Sequence, residues 1–137
     1  MAVSAATAND LIRYMFIGVT PTWVAETHFY VALHTAEPVV SQTESEVSYA
    51  GYARAAVIRT AAGFTIAGGQ ARNTAAVNTG VCTAGTAMIT HVSIGVAASG
   101  ESQILVTQVL PTPLSVGPGA QAKFNIDALT IEVTAGV

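Results

Sequence analysis

The stretch Met88-Ile-Thr-His-Val-Ser-Ile-Gly-Val96 decides the fold class of this chain. Every second residue from Met88 to Val96 belongs to one mostly apolar set, which alternates with a set that includes His91 and Ser93. Successive side chains of a β-strand point to opposite faces of a sheet, so this period of two predicts a long strand.

Shorter segments with strand character lie on both sides of it. They are residues 28–34, 54–60, 64–67, 104–109, 121–126 and 129–133, together with an alanine-rich extended segment at 70–78. Short strands separated by turn signals every 8–12 residues or so are typical of all-β sandwiches and barrels. No helices alternate with the strands, so a parallel α/β sheet is not expected. The sequence predicts a single all-β domain, residues 1–137, with an antiparallel sandwich of about eight strands over 28–134.

Three segments between these strands carry further expectations. The acid-rich residues 37–48 predict an exposed loop. Pro111, Pro113 and Pro118 predict that the strand over 104–109 is followed by an irregular segment. The apolar parity shifts by one residue between 126 and 129, so we expect a bulge at Asp127-Ala128 rather than a tight turn, because neither residue is glycine.

Residues 1–18 predict a short N-terminal helix or arm. Thr7 and Asp10 resemble a capping pair at its start, and Gly18 is a plausible stop. The apolar residues that share one helical face are Ala8, Leu11, Ile12, Met15 and Phe16. This face needs a partner, either the same domain or a neighbouring molecule.

The composition suits a subunit that other subunits cover. Only 9% of the residues are charged while 51% are hydrophobic, whereas a soluble domain carries about a quarter charged residues. The five Lys and Arg residues are scattered and the net charge is −3, which argues against a nucleic-acid surface. No apolar run approaches the ~20 residues of a membrane-spanning helix, and the N-terminal residues lack the features of a signal peptide. We therefore expect no nucleic-acid or membrane partner.

The residue types of catalytic and metal sites occur without a matching pattern. His28 and His34 would lie about 20 Å apart on one strand, too far to share a metal, and we expect the histidines to form hydrogen bonds at strand edges. Cys82 has neither a neighbouring base nor a helix start, so a buried thiol is expected. The glutamates between 37 and 46 lack the spacing of a calcium loop. We expect no enzyme activity, catalytic residue, metal or cofactor.

Four residues are candidates for an interface: Trp23, Tyr49, Tyr52 and Arg54. The stem of Arg54 is expected to pack on one of the tyrosines and its guanidinium to pair with Glu46. Tyr and Arg are also enriched at interface hot spots, so an anchoring role is equally open. Trp23 has the same two interpretations, as a core residue or a docking anchor. Exposed together, the aromatic residues would form a platform for a carbohydrate.

Four blocks resemble, in order, a family of small structural proteins of tailed-bacteriophage virions, variously described as head cement, decoration or tail-fibre-like proteins. They are Tyr30-Val-Ala-Leu-His-Thr-Ala-Glu-Pro38, Glu46-Val-Ser-Tyr-Ala-Gly-Tyr-Ala-Arg54, Thr90-His-Val-Ser-Ile-Gly95 with Ala98-Ser-Gly100, and the ending from Phe124 to Ile131. The resemblance implies a jelly-roll-like sandwich and a passive part of the particle. Residues 71–76 and 80–85 match weakly, which leaves the strand pairing there open.

From this resemblance we expect a capsid cement or decoration protein on the exterior of the phage head, made in the cytoplasm of the bacterial host. Its partners would be the major capsid protein, bound through an edge strand or a terminal arm, and further copies of itself, most simply as a symmetric dimer. One alternative is a tail-associated or tail-fibre adaptor protein. The other is a carbohydrate-binding β-sandwich module.

Overall fold

A computed structural model describes residues 2–132 of the chain. This part contains one helix, α1 (Ala5–Ile17), a 3-10 turn (Thr22–Ala25) and ten strands. The strands are β1 (Ala2–Val3), β2 (His28–His34), β3 (Ala55–Ile58), β4 (Phe64–Ala67), β5 (Gln70–Asn73), β6 (Val77–Val81), β7 (Ala87–Gly95), β8 (Ile104–Val116), β9 (Gln121–Phe124) and β10 (Thr130–Glu132).

The strands form three antiparallel sheets, with the orders β1-β8-β7-β2-β3, β10-β5-β4 and β6-β9. The predicted stretch 88–96 is β7, which pairs with β2 on one side and β8 on the other. Side chains from all three sheets meet in one core, among them Leu33 of β2, Ile89 of β7, Val77 of β6 and Leu129 next to β10. The all-β sandwich with a short N-terminal helix is confirmed.

Strand β2 has the predicted bounds but is covered on both faces toward its end. Val31 to His34 are all fully buried, although alternation predicts one polar face. The segment 37–48 provides the cover: Gln42 is buried and its amide donates to the Tyr30 carbonyl at 2.9 Å, and Val47 is buried as well. The expectation of an exposed loop is therefore wrong for these two positions, and also for Pro38 and Ser41, which are buried as well.

Strand β8 continues through two of the prolines that were expected to end it. It runs from Ile104 to Val116 and includes Pro111 and Pro113. Only residues 106 and 107 pair with β1, so beyond them the outer side of β8 has no partner strand in the described chain. The pairing of β8 with β7 is also irregular at this point: Ile89 pairs with Leu114 and His91 with Val109, so both prolines lie in a bulge. A proline lacks only the N–H group, and in a bulge on an edge strand this removes no regular ladder hydrogen bond.

The parity shift after residue 126 is a tight turn, and the bulge that we expected is wrong. The Ala128 N–H donates to the Asn125 carbonyl at 3.0 Å, and Asp127 adopts the left-handed conformation with φ of 65°. Asp tolerates this conformation better than most residues. The two flanking strands pair in different sheets, β9 with β6 and β10 with β5, so they share no face on which one parity would have to hold.

The alanine-rich segment 70–78 is divided in the same way. It contributes β5 to one sheet and the start of β6 to another. Its division and the two-residue β1 raise the count to ten in the described residues, against the eight or so expected. No helix within residues 2–132 combines the length and hydropathy needed to cross a membrane.

Candidate interaction surface

Arg54 lies in a buried ion pair that joins the connection between β2 and β3 to the connection between β7 and β8. Its Nε lies 2.7 Å from Oε1 of Glu46, and its Nη2 lies 2.8 Å from Oε2 of the same carboxylate. The same guanidinium donates to the backbone carbonyls of Ala97 at 3.0 Å and Gly100 at 2.8 Å. Only 2% of the Arg54 side chain is exposed. The predicted pairing of Arg54 with Glu46 is confirmed.

The two tyrosines belong to the same buried group. The Tyr52 hydroxyl donates to Oε1 of Glu46 at 2.7 Å and accepts the Leu33 N–H at 3.3 Å. Burial, with the hydrogen bond to Glu46, raises the pKa of Tyr52 well above its ordinary value. Tyr49 is buried and packs edge-to-face on Tyr52, with the ring centroids 5.5 Å apart. An interface role for Tyr49, Tyr52 and Arg54 stays a prediction.

Trp23 belongs to a second, separate group. Its indole N–H donates to Oδ2 of Asp10 at 3.0 Å, and its ring packs edge-to-face on Phe29. The Arg59 guanidinium lies 5.5 Å from the centroid of Trp23 and 5.0 Å from that of Phe29. One nitrogen of Arg59, Nη1, donates to carbonyls of the 3-10 turn, the nearest at 2.7 Å. No pattern in the sequence predicts a role for Arg59, because these partners are distant in the chain.

Helix α1 docks on the sandwich through its polar side chains. Ser4 caps the helix by accepting the Thr7 N–H at 3.1 Å, so the predicted cap at Thr7 is wrong by one turn. The hydroxyls of Ser4 and Thr7 also donate to the Ile104 carbonyl of β8. The Gln103 amide donates to Oγ1 of Thr7 at 3.2 Å and to Oδ2 of Asp10 at 3.0 Å.

Asp10 is the last point at which α1 is held to the domain. The hydrogen bonds from Gln103 and Trp23 lower the pKa of the Asp10 carboxyl, because both donors stabilise its charged form. Three residues at a spacing of three, Ser4, Thr7 and Asp10, therefore form the inward face. Sequence analysis identified two of them only as a capping pair.

The second half of α1 is exposed on all sides, although most of its residues are large and apolar. Every residue from Leu11 to Thr20 is exposed, and the exposed fractions reach 77% for Phe16, 71% for Met15 and 58% for Ile12. We call residues 11–17 the projecting half of α1. At 1.5 Å per residue it extends about 10 Å beyond Asp10. None of its large apolar residues belongs to the core described for residues 2–132, so it is the strongest candidate for an interaction surface.

A second uncovered apolar surface is a groove between the five-stranded sheet and the sheet of β4, β5 and β10. Its volume is about 680 Å³, and its apolar lining includes Phe29, Phe64, Ile66, Leu105, Val106 and Ile131. Arg59 contributes its main charged group. Binding pockets commonly have volumes of about 300–1,000 Å³, so the groove has the size and character of a binding site.

His34 lies at the centre of a buried polar network. Its Nδ1 lies 2.8 Å from the Glu44 carbonyl, which only accepts, so Nδ1 carries the proton and Nε2 accepts from the Ser93 hydroxyl at 2.8 Å. Ser93 Oγ in turn accepts from the Gln42 amide at 3.1 Å, and Gln42 Oε1 accepts from the Ser102 hydroxyl at 2.7 Å. Burial lowers the pKa of His34. The network attaches the segment 37–48 to the sheet, and the expectation of a histidine at a strand edge is wrong for His34.

The other candidate reactive groups have structural surroundings. Cys82 is fully buried and its thiol donates weakly to the Gly85 carbonyl, as expected of a buried cysteine. The Glu44 carboxylate accepts backbone N–H groups of Val39, Val40 and Ser41, which lower its pKa. Within residues 2–132 no three His, Cys, Asp or Glu side chains are placed so that they could hold a metal ion.

Comparison with protein families matches residues 2–132 to the family described as Podophage GP4 fiber I protein gp80. The match covers nearly all of the chain, and the chain belongs to this family. The resemblance of the four sequence blocks to structural proteins of tailed-phage virions is thereby confirmed. No curated protein sequence matches the chain.

Proposed function

From its membership of this phage fibre family, we propose that the protein is a non-enzymatic structural subunit of the phage tail. It would be part of a fibre or of the adaptor that holds a fibre. The observation that carries the proposal is the match of residues 2–132 to a family named for a fibre protein. The tail-associated role, an alternative in the sequence analysis, thereby replaces head cement as the main hypothesis.

The surface of the chain supports a role in permanent contacts between proteins. The projecting half of α1 and the groove are apolar and uncovered in the described residues, and only 9% of the whole chain is charged. Interface cores are depleted of charge and enriched in aromatic residues and methionine, which fits Phe16, Tyr14 and Met15. An apolar patch of several hundred Å² on a single domain is typical of a functional contact surface.

Two features weigh against the other hypotheses. Binding of the major capsid protein through an edge strand was one route for the cement role. Strand β8 is a poor template for an added strand, because it contains Pro111 and Pro113 and is irregular where they lie. A carbohydrate platform would need exposed aromatic rings, whereas Tyr49 is buried and lies in a different group from Trp23.

Antibody labelling of intact particles tests the location. We expect the label on the tail, and label confined to the head would contradict the proposal and favour the cement role.

Particles that lack the protein provide a second test. Their heads should keep their DNA on heating and osmotic shock as well as complete particles do, while adsorption to host cells falls. Heads that burst at a lower temperature, with adsorption unchanged, would indicate a cement protein.

A further inference from the structure

We infer that the projecting half of α1 of one copy inserts into the apolar groove of a second copy. The partner of α1 is thus the chain itself, bound head-to-tail. The inference deepens the proposed function, because a structural subunit needs a contact that joins its copies. It concerns an interaction of the isolated protein, however, and is tested without reference to the place of the protein in the particle.

The first observation is that every large apolar residue of α1 beyond Asp10 is exposed, from 37% for Leu11 to 77% for Phe16. Phe16, Met15 and Ile17 are each about 70% exposed or more, and consecutive positions point to different sides of a helix. Apart from Arg13, residues 11–17 are all large apolar or aromatic residues, and a helix that exposes such residues on several sides is normally covered by protein. A flat partner covers one side of such a helix, whereas a groove covers most of it, so the geometry favours a concave partner.

The second observation is that the groove fits such an occupant. It is open and lined mainly by apolar side chains, and Ile66 in its wall is 71% exposed. Its volume of about 680 Å³ exceeds what a single side chain fills, and the projecting half of α1 is about 10 Å long. Each surface is apolar and lacks a partner in the described part of its own chain, so one contact between copies covers both.

Charge complementarity supports the pairing and gives it a direction. The C-terminal end of a helix carries a partial negative charge and is stabilised by a nearby cation, but α1 has no basic residue in its last turn. Arg59 lines the groove and uses only Nη1 for hydrogen bonds, to backbone carbonyls of the 3-10 turn. Its Nε and Nη2 remain for the terminal carbonyls of an inserted helix.

A contact between helix and groove differs from a dimer in which two like surfaces pair. Two helices that paired with each other would leave both grooves open. Two copies that insert their helices into each other's grooves fill both surfaces and form a closed dimer, whereas a one-way contact leaves one free helix and one free groove and continues into a larger ring or an open array. Repeated contacts of this kind suit a subunit of an extended assembly.

Three variants of the full chain test the contact. Phe16→Asp places a charge on the projecting helix, and Ile66→Asp places one in the groove. Ile126→Asp is the matched control, because Ile126 is 61% exposed and does not line the groove. Analytical ultracentrifugation over a range of concentrations measures self-association. We expect the wild type and the control to associate alike, and each of the other variants to associate at least ~30-fold more weakly, the change typical of a hot-spot residue.

Mixing the two defective variants separates this contact from its alternatives. Phe16→Asp retains an intact groove and Ile66→Asp an intact helix, so together they should form a one-to-one complex that neither forms alone and that does not grow further. Ile66→Asp that associates like the wild type would indicate helix-to-helix pairing and overturn the inference. A wild type that is monomeric at all concentrations would also overturn it and would point to a different protein as the partner.

Circular dichroism and unfolding of each variant show whether it is folded, since all three positions are exposed and the substitutions should leave the core intact. The outcomes are independent of the labelling experiment. A protein that associates as described but labels the head would contradict the tail role alone. A protein on the tail whose α1 and groove variants associate normally would contradict this inference alone.

Discussion

Replacing Arg54 with methionine should destabilise the fold more than any other single loss of charge in the described chain. The Arg54 side chain is 2% exposed and the Glu46 side chain 18% exposed, so the pair is largely removed from water. Methionine fills much of the same space but leaves the Glu46 carboxylate with only the Tyr52 hydroxyl as a hydrogen-bond donor. The carbonyls of Ala97 and Gly100 also lose the bonds they accept from Arg54.

The expected magnitude follows from the burial of the pair. Removing one partner of a buried ion pair costs about 3–5 kcal/mol, because the other charge remains buried without compensation. The partial exposure of Glu46 allows some hydration, so we expect about 3–4 kcal/mol for Arg54→Met. For a domain of this size, that corresponds to a decrease in Tm of about 10–15 °C.

Urea unfolding measures the loss as a shift of the midpoint at unchanged slope. Arg72→Met is the control: Arg72 is exposed and bonds only to Gln70 nearby, so its loss should change stability by about 0.5 kcal/mol or less. The double variant with Glu46→Leu removes both charges and should be more stable than the sum of the two single losses predicts, by about 2 kcal/mol. A loss below about 1 kcal/mol for Arg54→Met, the value of an exposed pair, would refute the argument. Additive losses in the double variant would do the same.

Three further predictions concern other parts of the fold. Burial lowers the pKa of His34 below its ordinary 6.5, so below about pH 6.5 the unfolded chain takes up a proton that the folded chain does not. The free energy of unfolding should therefore fall as the pH drops below about 6.5, and above this pH His34 should not affect it. Urea unfolding across this pH range should show a weaker dependence for His34→Gln than for the control His28→Gln. Gly95→Ala should cost about 1–3 kcal/mol, since the added methyl group would meet the Gln42 amide and the Ser102 hydroxyl. Gly117→Ala should be nearly neutral in the same assay, because its methyl group would meet only the Thr86 methyl group, at an ordinary contact distance of 3.9 Å. Asp10→Ala removes the hydrogen bonds from Trp23 and Gln103 without changing the core. It should speed amide hydrogen exchange in α1 by about tenfold and change the free energy of unfolding by no more than ~1 kcal/mol. Unchanged exchange would contradict the anchoring role of Asp10.

Local patterns of apolar residues were sufficient to place most of the strands, although buried and exposed residues alternate cleanly only in strands such as β3 and β9. The pattern over 28–34 gave the bounds of β2, and the pattern over 64–67 gave those of β4. Cys82 and the pairing of Arg54 with Glu46 also followed from local sequence, since the partner lies only eight positions away. These features depend on residues that are near one another in the chain.

The features that sequence analysis missed depend on pairs distant in the chain. Residues 37–48 contain typical loop residues, and only the position of Tyr30 and Ser93 beneath them shows that Gln42 is buried. Pro111 and Pro113 are compatible with a strand because the pairing of β8 with β7 is irregular there and β1 is too short to reach them on the other side. The cation–π contacts of Arg59 likewise join residues about 30 positions apart.

The orientation of helix α1 on the domain also could not be predicted from the sequence. The spacing of Leu11, Ile12, Met15 and Phe16 correctly predicts a helix with an apolar face, but periodicity does not say on which side the domain lies. The domain binds the polar side, because the carbonyl of Ile104 and the amide of Gln103 supply partners for Ser4, Thr7 and Asp10.

This orientation of α1 should favour the binding of a partner. A flexible arm loses conformational entropy when it is ordered at an interface, and that loss weakens binding. The polar anchors already fix the start of α1 and orient its apolar half outward, so little ordering remains when a partner binds. An inward polar face and an outward apolar one are therefore what a pre-positioned binding element requires.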